Sequence, residues 1–294
     1  MSDTEFSRLV VVGVDGSTDS LHALDWAADE AARHGWPMRL VNAYQPIIAA
    51  LPAVAVHLPE ITDESERILK HAQNWVLFTH PDMAVSTMSA EGPAPRILLE
   101  ASRRARLLVV GREGLGRFAE LALGSVSLAC ASRSTTPVAV IPASWEPPAE
   151  PYGRIVVGVD GSANCQAAVQ FAFETASDRD AELSVVFAWH RPTRWPEGWP
   201  LTGENRPQFP ADYDFILSES IAGWREKYPN VAVTTIGESE HPAEALARHA
   251  VHADLVVIGG RGHGTVTGML LGSVARAILR HVDQPIIVVH QPEA

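Results

Sequence analysis

The chain carries one seven-residue stretch twice: Val11-Val12-Gly13-Val14-Asp15-Gly16-Ser17 and, unchanged, Val156-Val157-Gly158-Val159-Asp160-Gly161-Ser162. An apolar run that ends in Asp-Gly-Ser is typical of a buried strand that leads into a turn. Because an identical stretch at two distant places is the signature of a duplicated unit, the sequence predicts a repeated domain that opens on this strand and turn.

A second match extends the repeat along the chain. The opening stretches are offset by 145 residues, whereas Leu123-Gly124-Ser125-Val126 and Leu271-Gly272-Ser273-Val274 are offset by 148. A length of 294 residues also suits two domains of ordinary size. The predicted organisation is domain 1 at residues 1–143, a proline-rich linker at 144–153 and domain 2 at 154–294.

Within each copy, short apolar runs alternate with segments of helical periodicity. In the first copy the pattern predicts the third, fourth and fifth strands at residues 83–88, 107–111 and 138–141. Small residues recur at helical spacing at the same place in both copies, namely Ala23, Ala27 and Ala31, and then Ala168, Ala172 and Ala176. Small residues at this spacing let a helix lie close to a sheet. Strands that alternate with helices predict a parallel sheet with right-handed crossovers, so the expected fold class is doubly wound α/β, twice.

Composition excludes several classes of protein. The chain has 23 Lys and Arg against 35 Asp and Glu, a net charge of −12, which argues against nucleic-acid and anionic-membrane partners. The apolar runs have the length of strands, and residues 1–8 lack the pattern of a signal peptide. Two cysteines are too few for a disulfide scaffold. We therefore expect a cytoplasmic protein.

A glycine-rich loop follows the fourth predicted strand of each copy. The loops read Gly111-Arg112-Glu113-Gly114, nine residues, Gly124-Ser125-Val126, and Gly259-Gly260-Arg261-Gly262, nine residues, Gly272-Ser273-Val274. Glycines let backbone N–H groups approach phosphate oxygens, and the helix that begins at the serine adds further donors. Asp15 and Asp160, at the same edge of the sheet, are placed to accept hydrogen bonds from ribose hydroxyls. A purely structural role of the glycines in tight turns is the alternative.

These motifs, in the same order in both copies, resemble the universal stress protein family in its tandem two-domain form, over about residues 9–290. The resemblance implies two Rossmann-like (adenine nucleotide alpha hydrolase-like) domains, each a five-stranded parallel sheet with helices on both faces. It also implies one bound ATP per domain, a role in stress response or growth regulation, and pairing through the last strand, which leaves a homodimer open. The regulatory protein partner is not identified by the sequence.

The resemblance also assigns residues to the nucleotide. It places ribose on the turn aspartates, adenine on the backbone of Ala43 and Ala188, and phosphates on the glycine loops. The predicted set in domain 1 is Gly13, Asp15, Ala43, Gly111, Arg112, Gly114, Gly116, Arg117, Gly124, Ser125 and Val126. The set in domain 2 is Gly158, Asp160, Ala188, Gly259, Arg261, Gly262, His263, Gly264, Gly272, Ser273 and Val274. Mg²⁺ is expected with the triphosphate because few basic side chains are present, and no protein metal ligands are predicted.

The two loops differ in charge at their third position. Domain 1 has Glu113, with Glu120 further along the loop, where domain 2 has Arg261. Negative charge that faces a triphosphate lowers affinity unless Arg112, Arg117 or a metal ion offsets it. We therefore expect domain 2 to bind ATP more tightly than domain 1.

Other functions stay open. No loop has the Walker A pattern, and no nucleophile has an evident base, so no catalytic residue is predicted and the chain is expected to be at most a very slow ATPase. An adenylylating or ATP pyrophosphatase-type enzyme is one alternative, because residues 15–20 distantly resemble such a loop. A nucleotide-free interaction protein is the other.

Three further expectations concern residues outside the loops. Cys165, near a helix start, is expected to be mildly activated. His249 and His252, with Arg248, are expected to form a solvated helix face. The proline-rich stretches 46–59 and 191–210 are lids over the adenine, packed loops or an amphipathic surface for a partner.

Overall fold

The computed structural model describes residues 8–45, 58–114, 123–162, 165–189, 209–261 and 271–291. The chain divides into two compact units. One contains Met1–Ala149 with Pro285–Val288, and the other contains Glu150–Gln284 with Val289–Ala294. No helix in the described ranges is long and apolar enough to cross a bilayer.

The first unit is a parallel sheet with intervening helices. In chain order its elements are β1 (Val10–Gly13), α1 (Thr18–His34), β2 (Met38–Tyr44), α2 (Leu58–Thr79), β3 (Val85–Glu91), α3 (Ala94–Ser102), β4 (Leu107–Gly111), α4 (Ser125–Arg133) and β5 (Val138–Ile141). The strand order is β3-β2-β1-β4-β5, and each neighbouring pair is parallel. Residues 286–288 of β10 (Ile286–Val289), which belong to this unit, pair antiparallel with β5.

The second unit repeats the arrangement. Its elements are β6 (Arg154–Val159), α5 (Gln166–Arg179), β7 (Glu182–Ala188), α6 (Phe209–Ile221), α7 (Trp224–Lys227), β8 (Val233–Glu238), α8 (Pro242–Ala250), β9 (Leu255–Gly259) and α9 (Ser273–His281). Four strands pair in parallel in the order β9-β6-β7-β8. At the end of β9, the Gly260 amide donates a hydrogen bond to the carbonyl of Val289, 3.0 Å away.

The central strands are buried on both faces, as the continuous apolar runs predict. Val10, Val11 and Val12 of β1 are all inaccessible to solvent, although successive side chains of a strand point to opposite faces. The alanine rows of α1 and α5 are also inaccessible, which confirms the expected close packing of small-residue faces. The predicted α/β fold class with tandem Rossmann-like domains is confirmed.

The third strand is the element whose position was predicted least well. The predicted span 83–88 is displaced, because a turn that closes with a hydrogen bond from Met83 N to His80 O (3.1 Å) delays the strand to Val85–Glu91. This strand lies at the edge of the sheet and is largely exposed. Its polar residues therefore lack the apolar run by which the central strands are recognised.

Candidate functional site

The turn after β1 holds the Asp15 carboxylate in a defined orientation. Asp15 Oδ1 accepts hydrogen bonds from the Ser17 amide (2.9 Å) and the Ser17 hydroxyl (2.5 Å). Ser17 in turn caps α1, since its hydroxyl accepts from the Ser20 amide at 3.2 Å. Gly16 between them has φ +84°, a backbone conformation that favours glycine. The carboxylate is thus anchored through one oxygen at the carboxyl end of β1.

Domain 2 repeats this turn. Asp160 Oδ1 accepts from the Ser162 amide at 3.0 Å and from the Ser162 hydroxyl at 2.6 Å. Gly161 has φ +77°. The duplicated heptapeptide therefore produces the same anchored carboxylate in both domains.

The glycines of the first loop allow close approaches that a side chain would block. A Cβ on Gly111 would lie 2.9 Å from backbone atoms of Asp19 in α1. A Cβ on Gly124 would lie 2.9 Å from the carbonyl oxygen of Arg112, to which the Gly124 amide donates at 2.9 Å. Both distances are too short for a side chain, so the loop is confined to glycine at these positions.

Gly114 brings the loop to the turn carboxylate. A Cβ on Gly114 would meet Asp15 Oδ2 at 3.0 Å. The free side of the carboxylate, the oxygen that Ser17 does not hold, therefore faces the glycine loop. The structure thus brings together the two motifs that the sequence analysis assigned to ribose and phosphate.

Ser127 ties the loop to the start of α4. Its hydroxyl donates to the Arg112 carbonyl at 2.8 Å and lies 2.9 Å from the Gly124 carbonyl. Gly124 is the N-cap of α4 and has no side chain with which to cap it, and Ser125 is exposed at the first helical position. Sequence reasoning missed Ser127; its position three residues after the N-cap glycine is the signal that points to it.

Asp19 is a second residue that sequence reasoning missed. Its Oδ2 accepts a hydrogen bond from the Glu113 amide at 2.9 Å, across 94 positions of the chain. The pKa of the Glu113 carboxyl is raised, first by burial and then by the Asp19 charge, while Arg112 acts in the opposite direction. The first loop therefore holds two carboxylates that repel each other.

The second loop has a different neighbour. The Gly272 amide donates to the Gly260 carbonyl at 2.9 Å, which matches the Gly124–Arg112 contact of domain 1. The imidazole of His290 lies where a Cβ on Gly260 would stand, so a side chain at position 260 would have to displace this ring. Arg261 is exposed at the end of the described part of this loop.

The remaining predicted site residues lie in three kinds of place. Ala43 and Ala188 are half-buried at the ends of β2 and β7, and they pair in register with Ala90 and Glu238. Gly13 and Gly158 make room for helix side chains, since a Cβ on either would lie within 3.0 Å of Leu98 and Leu246 respectively. Gly259 ends β9, and Val126, Ser273 and Val274 lie in the first turns of α4 and α9.

Several predictions fall outside the described residues. These are Gly116, Arg117 and Glu120 in the first loop, Gly262, His263 and Gly264 in the second, and most of the proline-rich stretches 46–59 and 191–210.

The expected solvated face around His249 is confirmed for Arg248 and His252, which are exposed, while His249 is half-buried. The sequence analysis missed the charge cluster that this face carries. Arg248 donates to both carboxylate oxygens of Glu238, at 3.1 and 2.6 Å, and also contacts Glu240. His249 Nε2 lies 3.0 Å from Glu238 Oε1. The Arg248 hydrogen bonds are the main reason that the pKa of Glu238 falls to about 2. This cluster lies beside Ala188, because Glu238 is its partner in the sheet.

The expected activation of Cys165 is also wrong. The Cys165 side chain is 3% exposed, and burial is the main cause that raises the pKa of its thiol. The neighbouring Asp160 charge acts in the same direction. Burial therefore outweighs the backbone hydrogen bonds near the helix start, which act to lower the pKa of this thiol.

The comparisons with known proteins establish the family of the chain. The model of the universal stress protein family matches residues 7–142 and 151–290. The chain belongs to the universal stress protein family. The universal stress protein Rv2005c of Mycobacterium tuberculosis is 35% identical over 301 residues, which cover 99% of this chain and 100% of the relative.

Solved universal stress proteins share the fold. The crystal structure of one from Archaeoglobus fulgidus matches with a TM-score of 0.69 at 20% identity, over 97% of each chain. A universal stress protein in complex with cAMP matches with a TM-score of 0.37 at 30% identity, over 46% of this chain and 96% of that one. The first of these supports the tandem Rossmann-like architecture.

Proposed function

We propose that this universal stress protein binds ATP at the carboxyl ends of its parallel strands and acts as a regulator of stress response or growth. The observation that carries the proposal is the contact between Asp15 and the glycine loop. Asp15 Oδ2 lies so close to Gly114 that a Cβ at that position would be only 3.0 Å from it. A carboxylate acceptor beside a loop of backbone donors suits the ribose and the phosphates of one nucleotide.

The loop glycines support a backbone-built site. Contacts of 2.9 Å exclude a side chain at Gly111 and at Gly124, so at these two positions the loop presents only its backbone. Backbone amides and a helix start bind phosphate without lysine, of which the chain has only Lys70 and Lys227. A protein of net charge −12 therefore has a way to bind a polyanion.

The proposal assigns the tighter ATP site to domain 2. Arg261 stands there where domain 1 has Glu113, whose backbone amide already donates a hydrogen bond to the Asp19 carboxylate. Across the described residues, no three His, Cys, Asp or Glu side chains are grouped to hold a metal ion. Mg²⁺ would therefore be held by phosphate oxygens and water. We propose a cytoplasmic binding protein with at most very slow ATP hydrolysis.

Mass spectrometry of ligand released from freshly purified protein is the first test, with adenine nucleotide as the expected result. Calorimetric titration of ATP into Asp160→Ala and Asp15→Ala is the second. We expect Asp160→Ala to weaken the tight site by at least about tenfold and Asp15→Ala to leave that site unchanged. Asp29→Ala and Asp178→Ala, which remove a carboxylate from other parts of the same domains, are the matched controls.

Two results would overturn the proposal. One is the absence of both co-purified adenine nucleotide and any heat on addition of ATP. The other is release of pyrophosphate in the presence of carboxylate acceptors, because an adenylylating enzyme releases it and a binding protein does not.

A further inference from the structure

The first loop already has an anion bound to one of its amides. The Glu113 amide lies in the middle of the loop that begins at Gly111 and reaches Gly114, and Asp19 Oδ2 accepts its hydrogen bond at 2.9 Å. Asp19 is half-buried in the first turn of α1. The backbone of Asp19 packs so closely against Gly111 that a Cβ on Gly111 would lie 2.9 Å from it. A donor that a phosphate would use is therefore held by the protein itself.

The charges around this loop also oppose a polyanion. Asp15, Asp19 and Glu113 supply three carboxylates within it or against it, and Arg112 supplies one guanidinium. Burial raises the pKa of the Glu113 carboxyl, the Asp19 charge raises it further, and Arg112 acts in the opposite direction. A triphosphate would add three or four negative charges to the same place, whereas a nucleoside would add none.

Domain 2 differs at the two decisive positions. Residue 164, which corresponds to Asp19 at the offset of 145, is asparagine, and residue 261, which corresponds to Glu113, is arginine. Asn164 lies outside the described residues, but its side chain carries no charge. The second site thus has one carboxylate, Asp160, and one guanidinium at the corresponding positions.

We propose that Asp19 and Glu113 are the specificity-determining residues of the first site, which they make selective for an uncharged adenine nucleoside over ATP. The inference rests on the proposed function, since it assigns the ligand class of one of the two proposed sites. The two domains then bind different adenine ligands: ATP in domain 2 and a nucleoside in domain 1.

Calorimetry on the full chain tests this assignment by stoichiometry. We expect the wild-type protein to bind one equivalent of ATP tightly and, when saturated with ATP, one equivalent of adenosine. The double variant Asp19→Asn/Glu113→Arg copies domain 2 and is expected to bind two equivalents of ATP, with the new site tightened by at least about tenfold. Adenosine should then find no site in the ATP-saturated variant.

The single variant Asp19→Asn separates charge from architecture. Asparagine keeps an oxygen that accepts the Glu113 amide, so the loop contact is retained while the charge is lost. We expect Asp19→Asn to tighten ATP binding at the first site about as much as Asp19→Ala does. The gain should shrink at high salt, because screening weakens a charge effect and leaves a purely structural one unchanged.

The reciprocal exchange in domain 2 provides the matched control. Asn164→Asp/Arg261→Glu copies domain 1 and should weaken ATP at the tight site by at least about tenfold while adenosine binding is retained. Thermal melting of every variant checks that the fold is intact.

The outcomes separate the two proposals. Two equal ATP sites in the wild-type protein, or one ATP site that neither exchange alters, would overturn the selectivity and leave ATP binding standing. If no variant binds ATP, the proposed function itself fails and the selectivity fails with it.

Discussion

The two domains differ in the residues that lie between their first helix and the helix that follows β2 or β7. In domain 1 the residue of α1 that corresponds to Phe173 of domain 2 is the small Ala28. The long helix α2 runs unbroken from Leu58 to Thr79. In domain 2 the matching residue is Phe173, which is inaccessible to solvent and stacks on Trp224 and Tyr228, with ring centroids 6.3 and 6.0 Å away.

Helix α2 of domain 1 also differs from helices α6 and α7 of domain 2. Trp75 of α2 contacts Asp25 of α1 through a hydrogen bond from its indole N–H. The residue that corresponds to Trp75 in domain 2 is Gly223, at φ +77°, where α6 has ended and α7 begins. Trp75 is 43% exposed, whereas Phe173 is fully buried. The packing of the outer helices therefore differs between the copies, although the order of the parallel strands β3-β2-β1-β4 is repeated as β8-β7-β6-β9.

The largest effect is expected from Phe173→Ala. Removal of a fully buried aromatic side chain should destabilise domain 2 by about 3–5 kcal/mol, because it leaves a cavity beside Trp224 and Tyr228. Urea denaturation followed by tryptophan fluorescence measures the loss. Phe215→Ala, at a residue that is 67% exposed, is the control and should change stability by less than about 0.5 kcal/mol. Equal losses in the two variants would show that Phe173 does not anchor this packing.

The charge cluster on β8 and α8 is the next difference between the domains. Ala90 and Glu100 occupy in domain 1 the positions of Glu238 and Arg248 in domain 2. Since the folded pKa of Glu238 is about 2, below its ordinary value of 4.5, its stabilisation is present above pH 4.5 and is lost as the pH falls toward 2.

Glu238→Gln should therefore destabilise domain 2 by about 1 kcal/mol at pH 7, and the difference from wild type should shrink below pH 4.5. Hydrogen exchange of peptides from α8 at pH 7 measures the loss of protection in the variant. Urea denaturation at pH 3 measures how far the difference in stability from wild type has shrunk. Glu100→Gln, which removes the exposed 3.0 Å contact with Arg96 in domain 1, should have a smaller effect at both pH values. A loss that did not depend on pH would exclude an ionic origin.

The smallest expected signal is thiol reactivity. Burial raises the pKa of Cys130 in domain 1 to about 12 and also raises that of Cys165 in domain 2. Neither thiol should be alkylated by iodoacetamide at pH 7.5 in the native protein, and both should react in urea. Mass spectrometry of the intact chain follows the reaction. Rapid labelling of Cys165 alone in the native protein would contradict this expectation. It would instead support the activated thiol that the position near a helix start predicts.

The parts of the structure that the sequence predicted well are those with local signals. Strands β4 and β5 were predicted to the residue, because continuous apolar runs between polar neighbours define them. The turn carboxylates and glycine loops were placed at one edge because parallel strands share the direction of their carboxyl ends. The Asp15–Gly114 contact follows from that topology.

Contacts between distant polar residues had no such signal. Asp19 and Glu113 lie 94 positions apart, and neither motif fixes the residue type at these positions, so their hydrogen bond emerges only when α1 packs against the end of β4. For Arg248 and His249 the sequence indicated a solvated face but not their ion pairs, because their common partner, Glu238, lies on a separate strand. Periodicity describes which face of an element is apolar, and it says nothing about which charged side chains meet.

The His290 ring over Gly260 has a consequence for how the two copies diverged. The corresponding pair in domain 1 is Arg112 and Pro142, so a side chain is present at the loop position and the ring is absent at the end of the strand. An arginine introduced alone at position 260 would have to displace the imidazole, and the two positions are therefore epistatic. Replacement of His290 first leaves glycine at position 260 and avoids this clash, so the order in which the two positions change decides whether the intermediate is strained.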